Sequence, residues 1–510
     1  MAGTIAEALY GAQSVYSSAE EARAAAAALA ATGACLLCVL RFMGVPLGPA
    51  YQAEAAAEVH EALGIPVPAG DGGSDTQEQQ QQQQQCCPAC LDILHHSLAD
   101  EVADRYRAQE FDAEDAVIGV DLPKSVYVRQ RAMEVFCAAS SAVRKSAAVG
   151  VKDALKHVVG QRLAATCGIA IDNSDSQMRI EIALAHAETA DDHRPFLPAP
   201  QQDSRPPGAP RSKAKAKADR ARDHEPNLAA VVGELAACSD ADFRARFPCP
   251  PRAAAGRARI GSLELRRASL FVGGRYLKLE RNISQTPFIV DGQRLVELSV
   301  AEIIGEPLRA LTRSDAYNLV GSGREDADVR MLGAGRPFYV ECINPRTTRL
   351  APDQIREVER ALARSASPVQ TRRLQLIAPA DTAVIKEGEE HKSKHYCALV
   401  WLAQPLSEAR VAEINAAARH GLLLQQMTPV RVLHRRAPLT RPKRLLALEI
   451  AHIEGHFYRV RIESEAGAYI KEFVHGDLGR TTPSLASLAG TTADILELDV
   501  ENVSLDFPPP

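Results

Sequence analysis

The sequence predicts an α+β protein in which helices and strands interleave in the C-terminal half. Three observations lead to this prediction. Helical and strand patterns alternate from Val296 onward, whereas the N-terminal half shows longer helical stretches and one short strand pattern. A polar, proline-rich segment at residues 191–226 separates the two halves. The length of 510 residues fits two or three domains.

The amino-acid composition limits the classes of protein to which this chain can belong. The hydrophobic fraction of 46% is ordinary for a globular chain, and the net charge of −5 argues against a protein that coats nucleic acid by bulk charge. A local basic groove remains possible, because phosphate contacts depend on where the charges lie. No apolar run reaches the roughly 18 residues of a membrane span. Without a signal or transit peptide pattern, we expect a soluble protein of the nucleus, the cytoplasm or both.

The N-terminal elements follow from caps and periodicity. Ala19–Thr32 is predicted to be a helix, with Ser18 as its N-cap and Gly33 as its stop. Residues 125–162 form a second helical stretch, and Glu181–Leu184 a short strand. Residues 70–85 end in seven glutamines and are predicted to be a disordered insertion. In segment 191–226, Lys213, Lys215 and Lys217 form either a weak nuclear-import patch or part of a disordered tether.

Cysteine spacing predicts a metal site in this half. The 11 cysteines are an odd number, which favours reduced thiols over a disulfide framework. Two Cys-x-x-Cys pairs have the spacing of a tetrahedral zinc site, with Cys86 as an alternative to Cys87; they are Cys35, Cys38, Cys87 and Cys90. Four protein ligands leave the metal no open position, so such a site would be structural. Unpaired or redox-active thiols are the alternative.

A deaminase is excluded on sequence grounds. His186 and Glu188 match the His-x-Glu half of the zinc deaminase signature, but no Pro-Cys-x-x-Cys follows them.

In the C-terminal half, helices are predicted at Val300–Leu311 and Gln354–Arg364, and strands at Tyr396–Leu402 and Phe457–Ile462. A further stretch, 271–278, mixes aromatic, basic and glycine residues. Its side chains either present cations and a ring to RNA or belong to an ordinary strand and turn; the candidates are Arg275, Tyr276 and Lys278.

Three motifs carry candidate chemistry. Gly323-Arg324-Glu325-Asp326 joins a permissive glycine and a cation to an acid that could serve as a nucleophile, although a charged turn would look similar. Lys392–Tyr396 places a tyrosine beside three basic residues at the start of a strand, where it could stack on a base or sit at the core edge. Gly467–Lys471 reads as a glycine turn, a short strand and then a helix, which puts Lys471 where it could pair with a distant carboxylate. Thr482 is predicted to be the N-cap of a following helix.

In this order, the three motifs resemble the active-site motifs of RNA pseudouridine synthases. The tail as a whole resembles the pseudouridine synthase ten family of archaea and eukaryotes over residues 271–508. The resemblance includes Ser284–Pro287, Gly323–Gly333, Gly335–Phe338, Lys386–Gly388 and Tyr469–Thr481. It implies a pseudouridine-synthase-type mixed-sheet catalytic domain at 288–510. It also implies an N-terminal zinc-containing, THUMP-like RNA-binding domain made of 1–190 and 227–287, with 191–226 as a linker or inserted loop.

The resemblance also implies residue roles. Asp326 would be the nucleophile that attacks uridine, at C6 of the base or C1′ of the ribose. Lys471 would pair with Asp326, Tyr396 would stack on the target base, Tyr469 would line the pocket, and Arg324 would hold the flipped nucleotide or the Asp326 loop. No role is implied for the other acids of the first motif, Glu325 and Asp328.

The implied activity is the isomerisation of uridine to pseudouridine, which needs no catalytic cofactor. The implied partner is tRNA, at uridine 54, uridine 55 or both in the T loop, together with other structured RNA. We expect a monomer that does not bind membranes. The alternative is a non-catalytic RNA-binding scaffold in small-RNA processing.

Overall fold

The computed structural model describes residues 2–10, 14–67, 86–145, 148–171, 175–197, 227–434 and 436–509. Within them the chain divides into two compact units, Met1–Arg266 and Arg267–Pro510. The predicted insertion at 70–85 and most of the predicted linker, 198–226, lie outside the described residues. None of the helices in the described part combines the length and the apolar character that crossing a bilayer requires.

The first unit packs helices against a four-stranded sheet of order β2-β1-β3-β4. Strand β1 runs parallel to both of its neighbours. The strands are β1 (Asp115–Asp121), β2 (Ala170–Ile171), β3 (Met178–Ala185) and β4 (Arg259–Arg267). The helices are α1 (Ala2–Tyr10), α2 (Ala19–Ala30), α3 (Leu36–Phe42), α4 (Ala56–Leu63), α5 (His96–Arg107), α6 (Lys124–Ala139), α7 (Val151–Cys167), α8 (Leu228–Ala237) and α9 (Asp240–Arg246).

Local signals explain several of these elements. The Ser18 side chain accepts a hydrogen bond from the Glu21 amide, so the predicted cap of α2 is confirmed. The helical stretch predicted at 125–162 is two helices, because Ser140 takes an extended backbone after α6 and Gly150 caps the start of α7. The predicted linker begins too early. Its first part includes a short 3-10 turn, and Phe196 is buried and stacks on Phe243 with ring centroids 4.6 Å apart.

The second unit is built on a ten-stranded sheet. Its order is β10-β5-β9-β16-β11-β14-β13-β12-β15, with β8 paired to β9, and β6 and β7 form a separate hairpin. The strands are β5 (Leu270–Lys278), β6 (Ile289–Val290), β7 (Gln293–Arg294), β8 (Ala316–Gly321), β9 (Arg330–Ile343), β10 (Val369–Ile377), β11 (Lys394–Leu402), β12 (Leu422–Met427), β13 (Thr440–Glu454), β14 (Phe457–Ser464), β15 (Thr481–Thr482) and β16 (Ala493–Val503). The helices are α10 (Val300–Thr312), α11 (Pro352–Arg364), α12 (Ala383–His391), α13 (Glu408–Ala417), α14 (Ile470–His475) and α15 (Leu485–Ala489).

The sheet order brings distant sequence motifs together. Strand β16 lies between β9, to which it is parallel, and β11, to which it is antiparallel. The loop that precedes β9 therefore lies near Tyr396 in β11, although about 70 residues separate them in sequence. Strand β11 also pairs with β14, in the register Tyr396 to Ile462.

Three sequence expectations for this unit need correction. The predicted start of the catalytic domain at 288 is too late, because β5 pairs with β9 and β10 and belongs to the second sheet. The strand predicted after Gly467 is absent from this described segment; Tyr469 caps α14, which begins at once. The last helix is capped by Ser484, whose hydroxyl accepts a hydrogen bond from the Ser487 amide. Thr482, the predicted cap, lies instead in β15, where it pairs with β12.

Candidate active site

The predicted catalytic residues of the second unit line one cleft of about 310 Å³. Its walls include Asp326 and Arg324 from the loop before β9, Tyr396 from β11, and Tyr469 and Lys471 from the start of α14. The convergence of three motifs that are far apart in sequence is thus present in the fold.

Asp326 lies between two cations. Its Oδ2 is 3.3 Å from the Nζ of Lys471 and 3.3 Å from the Nη1 of Arg431. The pairing with Lys471 was predicted, whereas Arg431 was not. An aspartate carboxylate held between cations at the wall of a cleft can act as a nucleophile, provided that an electrophilic carbon is brought to it.

A second carboxylate anchors each of these cations. Lys471 Nζ donates to both oxygens of Asp328, at 2.9 and 2.8 Å. Burial raises the pKa of Asp328, but the hydrogen bonds and charge of Lys471 outweigh it, so the pKa of this carboxyl is lowered overall. Arg431 Nε donates to Oε1 of the buried Glu472 at 2.7 Å. Asp328, for which the sequence implied no role, therefore helps to fix the position of Lys471.

A sequence signal for Arg431 lies outside the three motifs. The stretch from Gly421 to Leu448 contains six lysines and arginines and no acidic residue. A run of this kind predicts a surface that attracts phosphate. In the fold it spans β12 and the first part of β13, and Arg431 and Arg436, from the segment between these strands, line the cleft.

A buried charge network lies under the loop that carries Asp326. The carboxylate of Glu325 accepts from Arg336 Nε at 2.7 Å and from the hydroxyl of Tyr276 at 2.9 and 3.0 Å. The side chains of Glu325 and Arg336 are each only 1% exposed. Burial, followed by the charge of Glu325, raises the pKa of Tyr276, which keeps its hydroxyl protonated as a donor. The role of Glu325 is therefore to stabilise the fold beneath the loop that carries Asp326, and not to bind substrate.

The backbone of the same loop is fixed by Lys278 and Gln285. Lys278 Nζ donates to the carbonyls of Asp326 at 3.0 Å and Ala327 at 3.2 Å. Gln285 Nε2 donates to the Gly323 carbonyl at 2.9 Å. Buried donors that bond to these carbonyls favour one backbone conformation, so the carboxylate of Asp326 is presented from a preorganised loop.

The interpretation of Arg275, Tyr276 and Lys278 as RNA-contacting residues is therefore wrong. All three are buried, with Tyr276 and Lys278 at 0% exposure. Arg275 donates to five backbone carbonyls, including Leu505 at 2.7 Å and Gly335 at 2.8 Å. A side chain whose donors all face the protein interior has none left for phosphate. These residues stabilise the sheet and the Asp326 loop.

The two tyrosines that line the cleft, Tyr396 and Tyr469, are fixed in position by different contacts. Tyr396 is half-buried, and its burial raises the pKa of its hydroxyl against the opposing effect of Arg336. The backbone of Tyr469 is pinned by Gln426, which accepts from its amide at 2.9 Å and donates to its carbonyl at 2.9 Å. Arg324 is exposed at the rim of the cleft.

The four predicted cysteines cluster in the first unit. The Sγ atoms of Cys35, Cys38, Cys87 and Cys90 lie within 4.8 Å of one another, an arrangement that could hold a metal ion. Cys86 is excluded from the cluster, because its thiol donates to the Ala254 carbonyl at 3.3 Å. The fully buried Arg41 donates to Cys38 Sγ at 3.4 Å and would offset part of the negative charge of four thiolates.

His186 has a structural role. Its Nδ1 is 2.8 Å from the Thr189 hydroxyl and its Nε2 is 2.9 Å from the Gly256 carbonyl. Both ring nitrogens are thus engaged by the protein itself.

Comparison with known proteins covers both units. The family described as Pus10, C-terminal, matches residues 271–504, and the family described as Eukaryotic Pus10, N-terminal, matches residues 87–261. Three curated relatives carry the name tRNA pseudouridine synthase Pus10. The Mus musculus protein is 34% identical over 432 residues, which are 83% of this chain and 79% of the relative. The Xenopus laevis protein is 32% identical over 522 residues, covering 96% of this chain and 98% of the relative. The Archaeoglobus fulgidus protein is 38% identical over 256 residues, covering 48% and 69%.

Proposed function

Because the chain belongs to the Pus10 family of tRNA pseudouridine synthases, we propose that it isomerises uridine to pseudouridine in tRNA with Asp326 as the nucleophile. The observation that carries the assignment of Asp326 is its contact with two cations. Lys471 and Arg431 both lie 3.3 Å from the same carboxylate oxygen, at the wall of a cleft that two tyrosines also line. A protein that only binds RNA has no need of this arrangement.

The reaction begins when a carboxylate oxygen of Asp326 attacks uridine at uracil C6 or ribose C1′. The bond between N1 and C1′ breaks, the base rotates, and a new bond joins C5 to C1′. C5 then loses its proton and N1 takes one up. The carboxylate leaves C1′ as C5 bonds to it in the C1′ route, or leaves C6 at the end in the C6 route, and the isomerisation is complete. Substrate and product have the same composition, so the balance requires neither an oxidant nor a second substrate.

The remaining cleft residues fit the binding of a flipped nucleotide. Tyr396 would stack on the uracil, since base–aromatic stacking accepts any base face. Tyr469 would close the side of the pocket, and the exposed guanidinium of Arg324 would contact a phosphate at the rim. Unstacking a base costs a few kcal/mol and costs least in loops, which favours uridines in RNA loops as targets. From the family resemblance, the proposed targets are the T-loop uridines 54 and 55.

The experiment is chemical mapping of pseudouridine in unmodified tRNA transcripts after incubation with the purified full-length protein. Asp326→Asn should abolish the product while RNA binding persists. Asp353→Asn is the matched control, because Asp353 is 80% exposed at the start of α11; it should react at the wild-type rate. Product from Asp326→Asn at the wild-type level would disprove the nucleophile. No product from the wild-type protein on any transcript would disprove the function.

For the cysteine cluster we propose a structural zinc ion. Tetrahedral zinc with Zn–S bonds of about 2.3 Å requires sulfurs about 3.8 Å apart. The Sγ atoms of Cys35 and Cys90 are 3.7 Å apart. Bound zinc would supply a cross-link between α3 and the turn at residues 87–90. The four thiolates would fill its coordination, so it would support the fold of a THUMP-like RNA-binding unit and take no part in the reaction.

A further inference from the structure

The loop between α14 and β15 presents an apolar side chain to solvent. Leu478 is 95% exposed, whereas the other exposed large apolar side chains of the described residues are 36–60% exposed. Single exposed apolar residues are common on protein surfaces, but they normally keep a large part of their area against neighbours. Leu478 keeps almost none.

The backbone of this loop is also unusual. Four consecutive residues have positive φ, namely Gly476 at 83°, Asp477 at 46°, Leu478 at 59° and Gly479 at 86°. The left-handed region disfavours side chains such as that of leucine, and glycine or asparagine would fit it better. Residues held in such conformations concentrate at functional sites, where the surrounding structure enforces them. Neither local preference nor packing explains a leucine here.

Hydrogen bonds hold the loop beside the catalytic cleft. Asp477 Oδ2 accepts from the Val430 amide at 3.2 Å, and the Arg480 guanidinium donates to the Thr428 carbonyl at 2.7 Å. The residue that follows Val430 is Arg431, the cation on the nucleophile. Leu478 therefore stands on a rigid loop tied to the segment that forms one wall of the cleft.

The surface around Leu478 has the residue types that bind RNA in which two neighbouring bases are unstacked. Val430, whose amide bonds to Asp477, is 50% exposed, and Leu433, three residues further along, is 39% exposed, so the segment tied to the loop also presents apolar side chains. The side chain of Arg431 is 41% exposed beside them. Apolar side chains enter base steps and separate the stacked faces, and cations next to them bind the flanking phosphates.

We propose that Leu478 is a wedge that enters the RNA stack next to the target uridine and keeps that uridine turned out into the cleft. This proposal rests on the proposed function. Leu478 is a positioning residue, because it touches the neighbouring bases and not the reacting atoms. A rigid, strained loop suits this role, since a flexible loop would fold its leucine back onto the protein surface.

The test compares Leu478→Asn, Leu478→Met and the wild-type full-length protein on an unmodified tRNA transcript. The uridine that becomes pseudouridine is mapped first, and 2-aminopurine then replaces its neighbour, so that unstacking raises the fluorescence. Asparagine accepts positive φ, so Leu478→Asn should melt no lower than wild type. We expect it to bind the RNA, to lose the fluorescence rise, and to form product about tenfold more slowly or worse. Leu478→Met should keep both properties.

The control is Ile453→Ala, which removes another exposed apolar side chain, 56% exposed and near the end of β13. It should leave both readouts unchanged. A fluorescence rise and product rate in Leu478→Asn equal to those of wild type would overturn the wedge. A lower melting temperature with equal losses in Leu478→Met would overturn it too, since it would indicate a role in folding. Absence of product from the wild-type protein would instead count against the proposed function.

Discussion

The substitution Glu325→Gln tests whether buried charge under the nucleophile loop holds the second unit together. Gln keeps nearly the same shape and removes the negative charge. The guanidinium of Arg336, whose Nε is 2.7 Å away, would then stay buried without its counter-ion, and the buried Lys278 Nζ, 3.9 Å away, would lose the strongest of the negative charges that act on it. The amide oxygen of Gln could still accept from the Tyr276 hydroxyl, so the lost charge is the main change.

The expected magnitude follows from burial. Both side chains of the Arg336–Glu325 pair are 1% exposed, and removing one partner of a buried ion pair costs about 3–5 kcal/mol. A domain has about 5–15 kcal/mol of unfolding free energy, so the variant should fold but with a large part of its stability lost. The matched substitution Glu497→Gln breaks a pair with Arg281 in which the Glu497 side chain is 53% exposed, and it should cost about 0–1 kcal/mol.

The assay is urea unfolding of the full-length protein followed by tryptophan fluorescence. The chain has a single tryptophan, Trp401, in β11 of the second unit, so the signal reports this unit and not the first. Pseudouridine formation measured on the same samples would show whether the loop that carries Asp326 moves. Equal small losses, below about 1 kcal/mol, for Glu325→Gln and Glu497→Gln would refute the reasoning about buried charge.

Three further predictions concern the same two units. Arg431→Gln removes one of the two cations on the nucleophile and should slow single-turnover pseudouridine formation about tenfold or more; an unchanged rate would contradict a catalytic contact. Chelation, or Cys87→Ser, should make the first unit more sensitive to limited proteolysis, whereas Cys86→Ser should not; identical behaviour of the two variants would argue against the metal site. The pKa of Asp328 is lower in the folded protein than in the unfolded chain, where it is near 4. The ionised carboxylate therefore stabilises the fold above about pH 4, and this stabilisation is lost as the pH falls through the pKa of the folded state. Asp328→Asn should therefore slightly lower stability at neutral pH and flatten the decline in acid, seen by acid unfolding; an acid transition that is the same in both proteins would contradict this.

Some features of the fold follow from signals within a few residues of one another. Ser18 caps α2 because a hydroxyl can reach an amide three residues ahead. The strand predicted at Tyr396–Leu402 is present as β11, which begins two residues earlier, at Lys394. The paired Cys-x-x-Cys spacing likewise predicted which four thiols meet, and only the choice between Cys86 and Cys87 needed the structure.

The sequence by itself determined the motifs, their order and the family, because these depend on residue identity at fixed local spacing. Tertiary structure alone decided that Arg431 also contacts Asp326 and which basic residues face inward. Arg431 reaches Asp326 through the packing of distant segments, and Lys278 is buried at the carbonyl of Asp326, 48 residues away. An exposed phosphate-binding lysine and a buried structural one have the same side chain. What separates them is desolvation and the partners within hydrogen-bonding distance, and the folded chain alone supplies both.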